Sequence, residues 1–295
     1  MNDARDQVVE SRTDESRDEF FGHRHLTEIS QGGRSLRSDL REIWLYRDLL
    51  FLLTSRDVTL RYKQSTLGVA WAVLQPLILM ATFSIVFGRF AKLPSDGYPY
   101  PLFVLCALLP WQYFSRSVSG SSSSLVSSAS LVTKVYFPRL ILPISKTLSG
   151  LVDLGVSFLL LGCVLAWYRV MPGWQLVLLP VFVAIAMVTA LAVGLWLTAL
   201  NVRYRDIGLI VPFLVQIWMY ASPIAYSMNL VPQHWRWIYS LNPLVGVVEG
   251  FRWALLGKAP PDSGPMLVSM LMVVLLLVGG LAYFRRTERN FADVI

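Results

Sequence analysis

Histidine and cysteine are scarce in this sequence: the chain of 295 residues has three histidines and two cysteines. His23 and His25 lie in a polar tail, and His234 stands alone far from both. This spacing excludes a zinc-binding helix motif and a Ser-His-Asp arrangement, so we predict neither a metal site nor a catalytic residue. Cys106 and Cys163 fall inside apolar segments, where a buried and inert thiol is the usual interpretation.

A nucleotide-binding loop is also missing. Such a loop reads Gly-x4-Gly-Lys-Ser/Thr, and the nearest approach is Gly250 followed by Gly257-Lys258. The spacing is wrong, and Ala259 stands where a hydroxyl group is needed. We therefore predict that the chain is not an enzyme and that it binds no cofactor of its own.

Charged residues make up only 15% of the chain and hydrophobic residues 55%, with a mean hydropathy of +0.52. Soluble domains carry about 25% charged residues, so this composition predicts a membrane protein. A helix needs about 20 apolar residues to cross a bilayer. Six segments come close to that length or exceed it, with no charge or with Asp153 alone: Gly68–Phe87, Tyr98–Ser115, Leu148–Trp167, Trp174–Val202, Ile207–Gln233 and Met266–Phe284.

These segments predict an all-α polytopic fold with six transmembrane helices. A weaker apolar stretch, Trp235–Leu256, follows the fifth segment, and we interpret residues 229–257 as a re-entrant gate hairpin. The transmembrane domain then covers residues 68–284, with a cytoplasmic tail at 285–295. An even number of spans places both termini on the same side of the membrane.

The distribution of positive charge indicates which side that is. Of the 26 Lys and Arg residues, 20 lie before Gly68 or in the segments 115–147, 201–207 and 285–295, and 6 lie in the alternate connections. We therefore predict a multi-pass protein of the cytoplasmic (inner) membrane with both termini in the cytoplasm. Attraction to anionic membrane lipids explains the net charge of +7, and nucleic acid is not expected as a partner.

The segments before the first span differ from each other in pattern. Residues 1–35 are polar without apolar periodicity and predict a disordered cytoplasmic tail. Residues 36–67 predict an amphipathic helix on the membrane surface, with polar residues such as Asp57 on the face opposite the leucines. The leucines assigned to one face are Leu45, Leu49, Leu52, Leu53 and Leu60.

The connection after the second predicted span is rich in serine between residues 119 and 130. Small residues permit close helix packing, and Pro138 and Pro143 interrupt any continuous helix. We therefore predict a short cytoplasmic helix that ends at these prolines.

Three charged residues stand in apolar surroundings. Asp153 either pairs with Lys146 or with hydroxyl groups near the cytoplasmic end of its span, or belongs to a polar conduit or proton relay. Glu249 and Arg252 lie three residues apart and share a helical face, which predicts a structural ion pair, with direct substrate contact as the alternative. Near them, Gly246-x3-Gly250 permits close backbone approach.

Aromatic residues are abundant around residues 98–113 and 218–239. Interfacial belts explain most of them, because Trp and Tyr favour the boundary between lipid and water. Aromatic rings also stack on sugars, so Trp218, Tyr220 and Tyr226 are candidates for lining a glycan passage.

Several motifs resemble those of type-2 ABC exporter permeases that move polysaccharides, O-antigens and teichoic acids. In chain order they are Arg56-Asp57-Val58-x2-Arg61-Tyr62-Lys63, Leu67-Gly68-x2-Trp71-x4-Pro76, Lys134-Val135-x-Phe137-Pro138, Asn201-Val202-x-Tyr204-Arg205-Asp206-Ile207, Ser222-Pro223-Ile224-x-Tyr226, Asn242-Pro243 with Glu249-x2-Arg252, and Phe291-Ala292-Asp293-Val294-Ile295. The resemblance covers residues 40–295 with the motifs in the family's order.

The resemblance implies a homodimer that works with two copies of a soluble ATPase, which carry ATP and Mg. The substrate would be a glycan on a lipid anchor. From the resemblance and the residue patterns together, we predict ATPase coupling for Arg56, Asp57, Lys134, Phe137, Pro138 and Arg139, lipid-phosphate contact for Arg61, Tyr62 and Lys63, and channel or gate for Asp153, Trp218, Tyr220, Tyr226, Asn242, Glu249 and Arg252.

Other functions remain open at this point. Plain attraction to anionic lipids is the alternative explanation for the basic residues near the first span. A related exporter of a small drug or lipid would share the six-span plan. A secondary transporter would be expected to show inverted repeats, and a membrane enzyme would need clustered acidic or histidine residues.

Overall fold

The computed structural model describes residues 36–63, 70–257, 260–288 and 291. The tail predicted to be disordered, residues 1–35, lies outside the described residues, as do Leu67, Gly68 and residues 292–295 of the sequence motifs. The chain divides into two units, Met1–Asp39 and Leu40–Ile295. Every contact discussed below lies within the second unit.

All regular elements in the described ranges are helical. They are α1 (Leu36–Leu45), α2 (Arg47–Lys63), α3 (Ala70–Phe83) with a π-helical continuation (Ser84–Phe90), α4 (Tyr100–Ser127), α5 (Ala129–Lys134), α6 (Ile141–Trp167), a 3-10 turn (Trp174–Leu178), α7 (Leu179–Arg203), α8 (Ile207–Tyr220), a second 3-10 turn (Met228–Leu230), α9 (Gln233–Tyr239), α10 (Pro243–Leu256) and α11 (Ser263–Glu288). The prediction of an all-α fold is therefore confirmed for the described residues.

Four helical stretches in the described part of the chain are long and apolar enough to cross a membrane. They are Ala70–Phe90, Ile141–Trp167, Trp174–Arg203 and Ser263–Glu288. The predicted span Ile207–Gln233 is too long, because α8 ends at Tyr220 and the backbone turns at Ser222-Pro223. Proline has no amide hydrogen to continue a helix.

The serine-rich segment is helical, but most of it extends α4, and the separate short helix before Pro138 is α5, Ala129–Lys134. α4 continues to Ser127, with Ser121 and Ser122 buried inside it. Their small side chains let α7 come close enough to donate hydrogen bonds across the helices. Thr198 Oγ1 lies 2.8 Å from the carbonyl oxygen of Ser121, and Asn201 Nδ2 lies 2.9 Å from that of Ser122. This is the close helix packing that small residues permit.

α4 is the central helix of the bundle and packs against α3, α6, α7, α8 and α10. Its residues 102–114 are all buried, as expected for a helix that is apolar on every side. Cys106 lies in this core as predicted, whereas Cys163 is exposed on α6. The prediction that Cys163 is buried was wrong because its face of α6 is left uncovered in the described chain.

α2 packs against α6, and its faces differ from the predicted ones. Leu53 is 2% exposed and the side chain of Asp57 is 7% exposed, whereas Leu52 is 60% exposed. The assignment of Asp57 to the face opposite the leucines was wrong. Residues four positions apart share a helical face, so Leu53 and Asp57 both turn towards the bundle.

The two glycines of Gly246-x3-Gly250 touch different helices. A Cβ atom on Gly246 would lie 2.9 Å from Ser269 Oγ in α11, and one on Gly250 would lie 2.2 Å from two ring carbons of Phe182 in α7. The motif therefore permits α10 to approach both neighbours, as the spacing predicts.

Replacing Gly250 by Ala is expected to lower the free energy of unfolding by about 1–3 kcal/mol, because the new methyl group overpacks the site of Phe182. Thermal unfolding in detergent measures the change, and adding Phe182→Leu should recover part of it. Gly155→Ala is the control, since nothing lies within 4 Å of a Cβ atom there. Equal loss in both single variants would contradict the packing of α10 on α7.

Candidate functional site

The carboxylate of Asp153, in α6, is the centre of a polar cluster formed by four helices. Arg61 and Tyr62 of α2 donate hydrogen bonds to its two oxygens. Arg116 of α4 places Nη1 3.1 Å from Asp153 Oδ2 and also donates to Gln75 of α3. The Asp153 side chain is only 5% exposed, so its charge is neutralised inside the bundle. We call these five residues the Asp153 cluster.

The predicted pair of Asp153 with Lys146 is not present. Lys146 Nζ lies 2.8 Å from Asp57 Oδ2 instead. Residues seven positions apart share a helical face but lie about 10.5 Å apart along the axis, which is too far for an ion pair. Two ion pairs, Asp57 with Lys146 and Arg61 with Asp153, therefore fasten α2 to α6.

Sequence reasoning missed Arg116 and Gln75. Arg116 was assigned to a connection, but α4 continues past it and keeps its side chain 25% exposed. Asp153 itself could have indicated such a partner, because a carboxylate inside a span needs a cation from another helix. With Arg61 and Arg116 against Asp153, the cluster carries one positive charge in excess.

Burial, followed by the hydrogen bond to Asp153 and the negative charge of that carboxylate, raises the pKa of Tyr62 from 10.0 to about 12. The neutral phenol is therefore favoured in the folded protein. Its stabilising contribution is complete below pH 10.0 and disappears as the pH rises through about 12.

The ultraviolet absorbance of phenolate tests this value. The difference between the titration curves of the native protein and Tyr62→Phe is expected to show one ionisation near pH 12. Introducing Asp153→Asn should lower the pKa of Tyr62 back towards 10.0, because it removes the negative charge beside the phenol. An ionisation of Tyr62 at its ordinary value in the folded native protein would contradict the bond to Asp153.

A second cluster surrounds Arg252 of α10, which is fully buried. Its Nη1 lies 3.0 Å from Glu249 Oε1, as the spacing predicts, and 3.2 Å from the carbonyl oxygen of Tyr226. Its Nη2 lies 2.9 Å from the carbonyl oxygen of Ile224. The guanidinium carbon stands 3.7 Å from the ring centre of Phe103 in α4. Arg252 thus ties the segment after α8 to both α10 and α4.

Asn242 makes a parallel connection at the start of α10. Its side-chain oxygen accepts from the Leu244 amide, which caps the helix, and from Trp218 Nε1 at 3.0 Å. Its Nδ2 donates to Ser222 Oγ at 3.0 Å. Asn242 and Arg252 therefore hold the end of α8 against α10 at two places.

The other predicted gate residues differ in exposure. The hydroxyl oxygens of Tyr226 and Tyr239 lie 2.6 Å apart, whereas Tyr220 is 58% exposed. The structure thus brings Trp218, Tyr226, Asn242, Glu249 and Arg252 to one region. Asp153 lies with Arg61 and Tyr62 instead.

The predicted coupling segment forms the helix α5 and the turn that follows it. Lys134 is exposed, whereas Phe137 and Pro138 are buried. Arg139 donates to the Glu288 carbonyl and lies over the ring of Phe291. The exposed part of the segment is therefore Lys134 to Tyr136, and the rest is fixed to the end of α11. Arg56 and Lys63 of α2 are exposed as well.

Within the described ranges, no three His, Cys, Asp or Glu side chains lie close enough together to hold a metal ion.

Residues 48–256 match the ABC-2 type transporter family. The O-antigen export system permease protein RfbA of Myxococcus xanthus is 31% identical over 258 residues, which are 87% of this chain and 98% of that protein. The protein of the same name from Klebsiella pneumoniae is 25% identical over 84% of this chain and 95% of its own length.

The polysialic acid transport protein KpsM of Escherichia coli is 25% identical over 82% of this chain and 93% of its own length. The matched region contains the Asp153 and Arg252 clusters, and the matches extend over nearly the whole length of the relatives. This membrane-spanning chain belongs to the ABC-2 type transporter family.

Proposed function

We propose that this chain is the permease of an ATP-driven exporter that moves a lipid-linked polysaccharide, of the O-antigen, capsule or teichoic acid type, across the cytoplasmic membrane. The observation that carries the proposal is the 31% identity to an O-antigen export permease over 98% of that protein. Two copies of the chain work with two copies of a soluble ATPase, which binds ATP and Mg.

Six membrane spans are proposed: the four long apolar helices with α4 and α8. α8 has 14 residues and extends about 21 Å, less than the roughly 30 Å of a bilayer core. The hydrogen bonds of Asn242 and Arg252 to the segment after α8 support a hairpin of α9 and α10 that re-enters the membrane to complete this span. Both termini then lie in the cytoplasm, with α2 along the inner surface.

A second copy of the chain is proposed to cover α8. Leu209 is 81% exposed, Phe213 63% and Ile217 50%, and these three residues share one face of the helix. Because α8 is shorter than the hydrocarbon core, we expect its exposed apolar face to be covered by protein rather than by lipid. The homodimer would place the passage for the glycan between the two copies.

The Asp153 cluster is proposed to receive the phosphate groups of the lipid anchor. Arg61 is 40% exposed, and the cluster holds one more positive charge than negative. Lys63 is exposed two positions further on. Guanidinium groups bind phosphate with paired hydrogen bonds, which a scattered basic surface does not provide.

The ATPase is proposed to dock on Lys134 to Tyr136 and on α2. A movement of α2 reaches α6 through the two ion pairs that fasten these helices together. A movement of the α5 segment reaches α11 through Arg139, which binds the Glu288 carbonyl. This arrangement converts the nucleotide cycle of the partner into helix motion.

Two neighbouring residues give a test of the docking surface. Tyr136 is 60% exposed, and Tyr136→Ala is expected to weaken ATPase binding by about 2 kcal/mol, roughly thirtyfold, without changing thermal stability. Phe137 is 5% exposed, and Phe137→Ala is expected to lower the stability by about 3–5 kcal/mol. Measurements of ATPase binding and thermal unfolding distinguish the two effects, and tight binding by Tyr136→Ala would contradict the surface.

The proposed function itself is tested in cells. Deleting the gene is expected to leave lipid-linked polysaccharide on the cytoplasmic side of the membrane, where an added impermeant glycosidase cannot reach it. Restoring the chain should expose the polymer. Normal surface polysaccharide in the deletion strain would contradict the function.

A further inference from the structure

A cavity of about 230 Å³ lies between α9, α10 and the start of α11, apart from the Asp153 cluster. Its apolar wall includes Val245 and Met266. Its polar lining comes from Asn229, Arg236, Glu249 and Asp262. We call this cavity the hairpin pocket.

The charges that line the hairpin pocket are balanced. Arg236 Nη1 lies 2.9 Å from Asp262 Oδ2, and Glu249 is paired with Arg252 at 3.0 Å. A phosphate or metal ion would therefore meet little net attraction. The Arg236 and Asp262 side chains remain 21% and 64% exposed, so their hydrogen-bonding groups are accessible to a ligand.

The lining suits a neutral ligand that is rich in hydroxyl groups. Carboxylates accept hydrogen bonds, guanidinium donates them and a side-chain amide does both, whereas each sugar hydroxyl is at once donor and acceptor. Val245 and Met266 add apolar surface to the lining, which can take the C–H face of a sugar ring. Cavities that enclose drug-sized ligands measure about 300–1,000 Å³, so this one has room for a single small ring.

We propose that the hairpin pocket binds one sugar residue of the exported polysaccharide as it leaves the passage. The inference rests on the proposed function and adds a glycan subsite on α9 and α10. Weak binding at this place opposes backward sliding of the polymer between successive ATPase cycles.

The test uses the full chain in lipid nanodiscs, with Met266→Cys as a reporter and the exposed Cys163 replaced by Ser. The probe is delipidated polysaccharide purified from the envelope of the source cell. A saturating amount is expected to slow maleimide labelling of the reporter about tenfold. The same labelling is measured with inorganic phosphate and with calcium.

Two variants change the polar lining without removing the fold. Asn229→Ala deletes a side chain whose amide Nδ2 donates a hydrogen bond to Asp96 Oδ1 at 3.0 Å. Exchanging Arg236 and Asp262 preserves their ion pair but reverses donor and acceptor. Both variants should lose protection by the polysaccharide, and His234→Ala, which is exposed on α9 outside the pocket, should retain it.

The subsite would be overturned if polysaccharide did not slow labelling of the reporter in the protein with its native pocket residues. It would also be overturned if polysaccharide still slowed labelling in both pocket variants, or if phosphate or calcium slowed it. The gene-deletion assay distinguishes failure of the subsite from failure of the proposed function. If the deletion strain accumulates internal polymer while the reporter shows no protection, the subsite fails and the exporter stands. If no polymer accumulates, the exporter fails as well.

Discussion

Replacing Asp153 by Asn is expected to lower the stability of the protein by about 3 kcal/mol, the low end of the cost of breaking a buried ion pair. We expect the low end of this range because the Arg61 side chain is 40% exposed, so water can hydrate its guanidinium group when Asp153 is replaced. Arg116 is less exposed and loses its anionic partner. Export is expected to stop, because only one of the two ion pairs that fasten α2 to α6 remains, that of Asp57 with Lys146.

Asp48→Asn is the matched control for this change. Asp48 is 93% exposed and lies 3.8 Å from Arg47, so its loss should alter stability by less than about 0.5 kcal/mol. Asp153→Glu keeps the charge and should retain part of the activity. Thermal unfolding and surface polysaccharide are measured in the three variants. Full export by Asp153→Asn would show that the cluster is not needed to hold α2.

Replacing Arg252 by Met is expected to cost about 3–5 kcal/mol of stability, because it leaves the partly buried Glu249 without a cation and removes the donor to two carbonyl oxygens. The end of α8 would then be held to α10 by Asn242 alone. We expect export to be lost and the hairpin to become sensitive to added protease.

A double variant separates the two causes. Glu249→Gln together with Arg252→Met removes both charges, so it should recover part of the stability that the single variant loses. Arg236→Gln is the control, because its partner Asp262 is 64% exposed and the pair contributes little. Equal stability of Arg252→Met and Arg236→Gln would contradict the central position of Arg252.

Local features of the fold could be predicted from the sequence. The apolar segments gave the long helices, and the spacing of Glu249 and Arg252 gave their ion pair, because each depends on residues near each other in the chain. The same holds for the close packing at Gly246 and Gly250. These features follow from helix periodicity and hydropathy alone.

Contacts between distant segments could not be predicted. Two of the three partners of Asp153 are 92 and 91 positions away in α2, so no local pattern reveals them. The continuation of α4 through the serine segment could not be predicted, because its hydroxyl groups are satisfied by carbonyl groups one turn earlier, which hydropathy does not measure. The face of α2 that turns towards the bundle could not be predicted either, because Asp57 on that face is paired with Lys146 in α6.

The division of labour between this chain and an ATPase is tested most directly by reconstitution. Proteoliposomes are prepared with the permease alone, with the ATPase alone and with both, and loaded with fluorescent lipid-linked polysaccharide and ATP. Only the complete complex is predicted to hydrolyse ATP in response to the polymer and to carry it across the bilayer. Hydrolysis of ATP by the permease alone, or transport without the ATPase, would contradict the account.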